Sequence, residues 1–389
     1  MSHPFVLKFK LDLKVLLIVY LFLFFVPLTT QGYYYEVESF TFILNKVVLA
    51  AVFVLLLVKA SLYLIRRKIP RDEMFLYLLG IAMLVFNMAA LTLVEDMNFV
   101  VTGVALLLAP LVQSLSIRQL KNIIVLVLVA LLSFATLTMI DFIFSLSLNP
   151  LVEIRYYGLT EQFGARFQNN SLFGQGNAFG AILGFLFLLL LTIDSEGLLG
   201  QSRLFFYLLL LLSTILLISS FSAGGIIIGF LGLLIWIITK YRYGFIVGLV
   251  LFAFIMMFIF SLSFESSSSR KLVSAGLKLE RSYQFFLLVS QNPSILVSGF
   301  NAYNVERFYT ESTYLDMVLN FGIIIPILFL AFLLKKMFSS KNINWAFLYF
   351  SAIFFIMTQN SSFLLPSAIL LLVAVSLQRK IYSFPKSLV

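Results

Sequence analysis

Apolar runs long enough to cross a bilayer recur along the whole chain, and that leaves few folds open. A membrane-crossing helix needs about 20 apolar residues. Runs of this kind lie at about 15–30, 41–65, 74–93, 97–116, 121–147, 173–193, 203–219, 222–239, 244–263, 313–334, 344–359 and 361–378. The shortest junctions fall near Ser219–Ser222 and Gln359–Ser362. The spacing predicts an all-α, polytopic transmembrane protein of about 12 spans, with residues 1–389 forming a single integral membrane domain. Composition agrees: 61% of residues are hydrophobic and 11% are charged, whereas soluble chains carry roughly 25% charged residues.

The cations follow the spans. Lys8, Lys10, Lys14, Arg66, Arg67, Lys68, Arg71, Arg118, Lys121, Arg203, Lys240, Arg242, Lys335, Lys336, Lys341, Arg379, Lys380 and Lys386 all fall on one side of a twelve-span chain. The positive-inside rule places that side, and both termini, in the cytoplasm. The net charge of +10 is then mostly a topology signal, and no nucleic-acid motif accompanies it. The first run follows three lysines and lacks a small-residue cleavage site, so it reads as a first membrane helix. No internal repeat stands out, which argues against an inverted-repeat transporter.

Two outside loops break the pattern. Those at about 148–172 and 264–312 are long, and they hold every cation of the far side: Arg155, Arg166, Arg270, Lys271, Lys278, Arg281 and Arg307. Orientation alone would keep cations off this face, so their concentration points to a task there. The chain has no cysteine, and His3 is its single histidine. Thiolate metal sites and histidine catalysis are thereby set aside, and no metal site or cofactor is expected.

Within the first loop, Arg166 precedes Gln168, Asn169, Asn170 and Asn177, and Gly176, Gly180 and Gly184 recur every four residues. Small residues at that interval let helices approach closely; Arg166 could also be an interfacial snorkelling arginine. In the second loop, residues 270–290 read as an amphipathic helix lying at the interface. Arg270 and Arg281 are eleven positions apart, which places them within roughly 20° of each other if Gly276 does not break the helix. Paired guanidiniums suit phosphate oxygens, because the planar fork donates bidentately; an anchor for anionic headgroups uses the same residues. Glu311 opens the tenth run. It serves either as a helix cap at the positive dipole end or as a general base if its surroundings adjust it. Asp316, five residues on, points to another side of that helix.

These residues resemble a known family. The pieces are "GARFQNNSLFGQGNAFG", "SSFSAGGIIIGF", "ERSYQFFLLVSQNPSILVSGF" and "YTESTYLDMVLNFGIIIPILFL", in that order. Their arrangement resembles the O-antigen ligase and polymerase superfamily of bacterial envelope proteins, of Wzy type. The resemblance implies a multi-span helical membrane glycosyltransferase, GT-C-like, with a large periplasmic loop late in the chain. It implies metal-independent, inverting transfer from an undecaprenyl-pyrophosphate donor at the periplasmic face of the inner membrane. Arg166 and Arg281 match the family's two arginines and Glu311 matches the catalytic position opening the late span. Arg270, Asn177, Tyr303, Tyr309 and Tyr314 would contact pyrophosphate or sugar. Partners implied are lipid-linked oligosaccharides, membrane lipids and a chain-length regulator protein.

Two positions depart from the family pattern. The second glycine of the element after Pro293 is missing, since Phe300 and Asn301 follow Gly299. Where ligases typically carry histidine, this chain has Glu311, which favours a repeat-unit polymerase. Competing expectations are a ligase acting on lipid A core, a flippase for lipid-linked oligosaccharides, a small-solute transporter and a scaffold. A flippase would need a polar route through the membrane, whereas these cations cluster outside. A scaffold leaves the arginine-rich loops unexplained.

Overall fold

The computed structural model describes residues 12–31, 40–66, 69–89, 97–144, 176–198, 203–220, 222–241, 243–246, 250, 253, 268–299, 312–359 and 364–383. Among them there is no strand. The helices are α1 (Leu13–Gln31), α2 (Phe40–Arg66), α3 (Arg71–Ala89), α4 (Met97–Leu106), α5 (Ala109–Ser114) and α6 (Ile117–Phe144). Then follow α7 (Gly176–Ser195), α8 (Arg203–Ser219), α9 (Ala223–Lys240), α10 (Ser268–Gln291) and α11 (Ile295–Ser298). The last four are α12 (Thr313–Phe321), α13 (Ile324–Ser339), α14 (Ile343–Thr358) and α15 (Leu364–Ser383).

A helix that is apolar all round belongs inside a bundle. Two helices meet that description. Every residue from Ala178 to Thr192 in α7 is buried, as is every residue from Ser367 to Gln378 in α15. Peripheral helices instead turn apolar residues outward. On α8, Leu204, Leu208, Leu211 and Ile215 are exposed at helical intervals, and Val54, Val58, Leu62 and Ile65 do the same on α2. Outward apolar stripes of this kind suit acyl chains and not water. By length and composition, Ile117–Leu137 in α6 and Ala178–Ser195 in α7 are long and apolar enough to cross a bilayer. The other apolar helices picked out by the same measure are shorter, so the described residues hold two candidate spans and not a count of twelve.

Glycine permits the closest helix crossing. Gly180 and Gly184 of α7 both face Gly225 of α9, and a Cβ on Gly225 would run into the Gly180 carbonyl oxygen. Of the every-fourth-residue glycines expected to allow packing, Gly180 and Gly184 do so here.

Two runs expected to be single spans are broken. The run at 97–116 divides at Leu107 and Leu108, because Pro110 opens α5 and lacks the N–H that would continue α4. The run at 313–334 divides at Gly322, whose φ of 70° takes the backbone into the left-handed region. Most of the expected span at 244–263 lies outside the described residues.

One end of the bundle gathers the segments that the cation pattern put on a common side. Lys336 Nζ donates to Asp72 Oδ2 at 2.6 Å, and Arg379 Nε donates to Glu73 Oε1 at 2.7 Å. Asp194 accepts from Trp236 Nε1 at 2.9 Å and pairs with Lys240. Glu196 Oε1 accepts from Asn342 at 2.9 Å, Trp345 at 3.2 Å and Tyr382 at 3.3 Å. Lys121 Nζ donates to the Leu198 carbonyl. The starts of α3 and α14 and the ends of α7, α9, α13 and α15 therefore meet at one level.

Candidate functional site

The opposite end is built from the polar breaks between runs. From the paired-charge end, α14 rises about 24 Å to Thr358, and α13 extends about 18 Å from Lys336 back to Ile324. Helix α12 joins these two far ends. Its first residue, Thr313, donates its backbone N–H at 2.6 Å and its hydroxyl at 2.7 Å to the carbonyl of Gln359, which caps α14. A terminal donor of one helix thus satisfies a terminal acceptor of another, and the positive end of α12 meets the negative end of α14. At its other end α12 stops at Gly322, where α13 begins. Helix α12 consequently lies across the end of the bundle, not through it.

Further polar groups converge on this spot. Ser222 caps α9 by accepting from the Gly225 N–H at 3.3 Å, and its own N–H donates to Ser220 Oγ at 3.2 Å. A Cβ on Gly180 would strike Ser220 and Ser222, so the start of α7 rests on this turn. A Cβ on Gly224 would lie 3.5 Å from Gln359 Nε2. The start of α7, the α8–α9 turn, the end of α14 and the start of α12 form one contiguous patch. Thr313, Asp316, Ser220, Ser222 and Gln359 are all buried within it. The quoted pieces around residues 180, 222 and 313 are therefore neighbours in space.

Helix α10 flanks the patch. It is continuous through Gly276, where an added Cβ would meet nothing within 4 Å. Phe285 of α10 is buried against Ile295, Val318 and Leu319, with Leu288, Val289, Leu296, Tyr314 and Leu315 around them. The α11 turn locks this contact: Ile323 N–H donates to the Leu296 carbonyl at 2.8 Å. Gly299 (φ 76°) packs on the backbone of Leu319 and Asn320, and Gly322 packs on that of Val297. A side chain at either glycine would be both strained and obstructed.

The register of α10 decides where its cations sit. At about 100° per residue, positions 270, 271, 278 and 281 fall in one arc of about 100°, and that arc also holds 285, 288 and 289. Position 281 therefore shares the side of α10 on which Phe285 packs against α12. Arg281 is half-buried one turn before Phe285.

The expected site residues are distributed as follows. Tyr314 packs around Phe285 at the α10–α12 contact, and Arg281 lies one turn before Phe285. Asn177 lies in the first turn of α7 and Arg270 in the first turn of α10. Arg166, Glu311, Tyr303 and Tyr309 lie outside the described residues. Asp316, expected on a different side of the helix from Glu311, is 2% exposed on the inner side of α12. Gln359, Ser222 and Thr313 were not singled out from the sequence as site residues. Ser222 and Gln359 had one signal, as polar residues at the shortest junctions between apolar runs, and Thr313 had only its place at the start of the run at 313–334. Among the described residues no three His, Cys, Asp or Glu side chains group as a metal site would require.

Compared with family models, curated proteins and solved structures, the chain finds no match.

Proposed function

We propose that this protein is a membrane glycosyltransferase that polymerises undecaprenyl-pyrophosphate-linked oligosaccharide repeat units into O-antigen or a related surface polysaccharide. In this reading the chain has about twelve spans in a bacterial inner membrane, with both termini cytoplasmic. The α10–α12 end faces the periplasm. The observation that supports it most is the half-buried Arg281, one turn from the Phe285 contact with α12, at the end of the bundle remote from the paired charges. A diphosphate needs charge stabilisation at that level, and a sugar hydroxyl needs polar company beside it.

The reaction is a displacement at an anomeric carbon. A hydroxyl of the incoming repeat unit attacks the reducing-end sugar of the growing chain. The new C–O bond forms as the bond to the pyrophosphate oxygen breaks, and undecaprenyl pyrophosphate departs with the electron pair. Arg166 and Arg281, with Arg270, hold the diphosphate. Glu311 receives the hydroxyl proton. Asn177, Tyr303, Tyr309 and Tyr314 offer contacts to sugar or pyrophosphate.

The test uses purified protein in nanodiscs with undecaprenyl-pyrophosphate repeat units and EDTA, and no nucleotide sugar. A product ladder spaced by one repeat unit is the expected result. Transfer to added lipid A core without a ladder would reassign the protein as a ligase. Transfer to neither acceptor, with the correct repeat unit present, would overturn the glycosyltransferase reading.

A further inference from the structure

Helix α10 has a second apolar side that nothing among the described residues covers. Leu279 is 73% exposed, and Tyr283 and Phe286 are each 63% exposed. These three fall within an arc of about 60°, roughly opposite the arc that docks on α12. Positions 272, 276 and 290 share it and carry Leu, Gly and Ser. No charged residue occupies that stripe. By register the cation positions 270, 271, 278 and 281 all fall outside it.

We infer that this outer side of α10 is embedded in the acyl-chain layer of the membrane leaflet at the α12 end of the bundle. Three observations identify lipid as the occupant. First, a helix lying on a bilayer turns its apolar side to the acyl chains and its cations elsewhere. Here Phe285 is turned to the protein, with position 281 on the same side, so the exposed side of Leu279, Tyr283 and Phe286 is the one left for lipid. Second, the stripe leads, across one short turn, to an apolar helix face of the bundle itself. Val297, 70% exposed, follows α10 through the α11 turn and lies against Gly322. From Gly322 the outward residues Ile324, Ile327 and Leu328 of α13 continue, exposed and apolar, along a helix that reaches the paired-charge end at Lys336. Lipid that bathes this face of α13 reaches Val297, and the outer side of α10 resumes the apolar surface beyond the exposed turn at 290–294. Third, Tyr283 and Phe286 are aromatic residues of the kind concentrated at membrane–water boundaries.

The consequence is a site with a lateral opening. With one side in the leaflet and the other against α12, α10 puts Arg281 within reach of an anionic amphiphile whose tail stays among the acyl chains. The membrane embedding of α10 does not depend on glycosyl transfer.

Because the chain has no cysteine, single cysteines can be placed without background. Leu279→Cys, Tyr283→Cys, Phe286→Cys and Val297→Cys would each carry a nitroxide label. Gln284→Cys, exposed but off the stripe, serves as the control. The full chain is reconstituted in phosphatidylcholine–phosphatidylglycerol vesicles, and power saturation is read with oxygen and with a water-soluble nickel chelate. Emission from the native Trp236 and Trp345, at the other end of the bundle, confirms folding of each variant. Oxygen should relax the four stripe labels more than nickel does, and the order should reverse at position 284. Nickel dominance at the stripe would mean that it faces water. Protection from both reagents would mean that protein, such as a second copy of the chain, covers it. Either result overturns the inference.

Discussion

Asp72, Glu73, Asp194 and Glu196 each hold a donor from a distant helix at one end of the bundle. At the other end Thr313, Ser220, Ser222 and Gln359 are joined through hydroxyls and backbone groups. The first arrangement locks helix ends together by charge, and a charge already engaged in the fold does little else. The second fixes positions mainly with hydroxyl and backbone contacts, with Asp316 buried beside them. A buried ion pair is costly to assemble and costlier to break, so it suits a clamp. A neutral hydrogen bond contributes only about 1 kcal/mol, so it suits a place where a substrate must enter and leave.

Substitutions at the two ends should therefore fail differently. Arg281→Ala should lower repeat-unit transfer by about 100-fold or more, since that is the typical effect of removing one charge-stabilising donor, while the protein still inserts and keeps its melting temperature. Ladder formation at the normal rate would remove Arg281 from the site. Glu73→Gln should do the reverse. Glu73 is fully buried, and losing one partner of such a pair costs about 3 kcal/mol. A thermal melt in detergent should shift down, with transfer per folded molecule retained.

A third substitution probes the seam between the ends. Gly225→Ala would push a methyl group into the Gly180 carbonyl, and backbone cannot yield as a side chain can. Overpacking of this sort costs about 1–3 kcal/mol, and an unchanged melting temperature would mean that α7 and α9 do not cross there.

The smallest effect concerns pH. Burial pushes the Asp72 carboxyl up, but the hydrogen bond and charge of Lys336, aided by Lys335, outweigh it and hold the group below the usual carboxylate range. A carboxyl held low in the folded state contributes stability above its unfolded pKa of about 3.9, and loses it as pH falls through the lower folded value. Stability should fall in acid below about pH 4, and Asp72→Asn should flatten that part of the profile. A profile unchanged by the substitution would show that the Lys336 contact is not formed.

The membrane class, the helical content and the sharing of one end by the cation-bearing segments were legible in the chain because each is local. An apolar run declares a helix in a bilayer, and charge collects where runs end. Register is local too, so Arg270 and Arg281 could be placed on one side of a helix once that helix proved continuous. Other features depended on contacts between distant residues. Thr313 meets Gln359 across 46 positions, and Glu73 meets Arg379 across 306. Nothing in either neighbourhood announces its partner. The breaks at Gly322 and at Leu107–Leu108 sit inside runs that hydropathy reads as continuous, because hydropathy does not register backbone angles or a missing N–H. Which side of α10 meets the protein was likewise decided by the packing of Phe285 on Ile295, Val318 and Leu319, and only that contact distinguishes the side from its opposite.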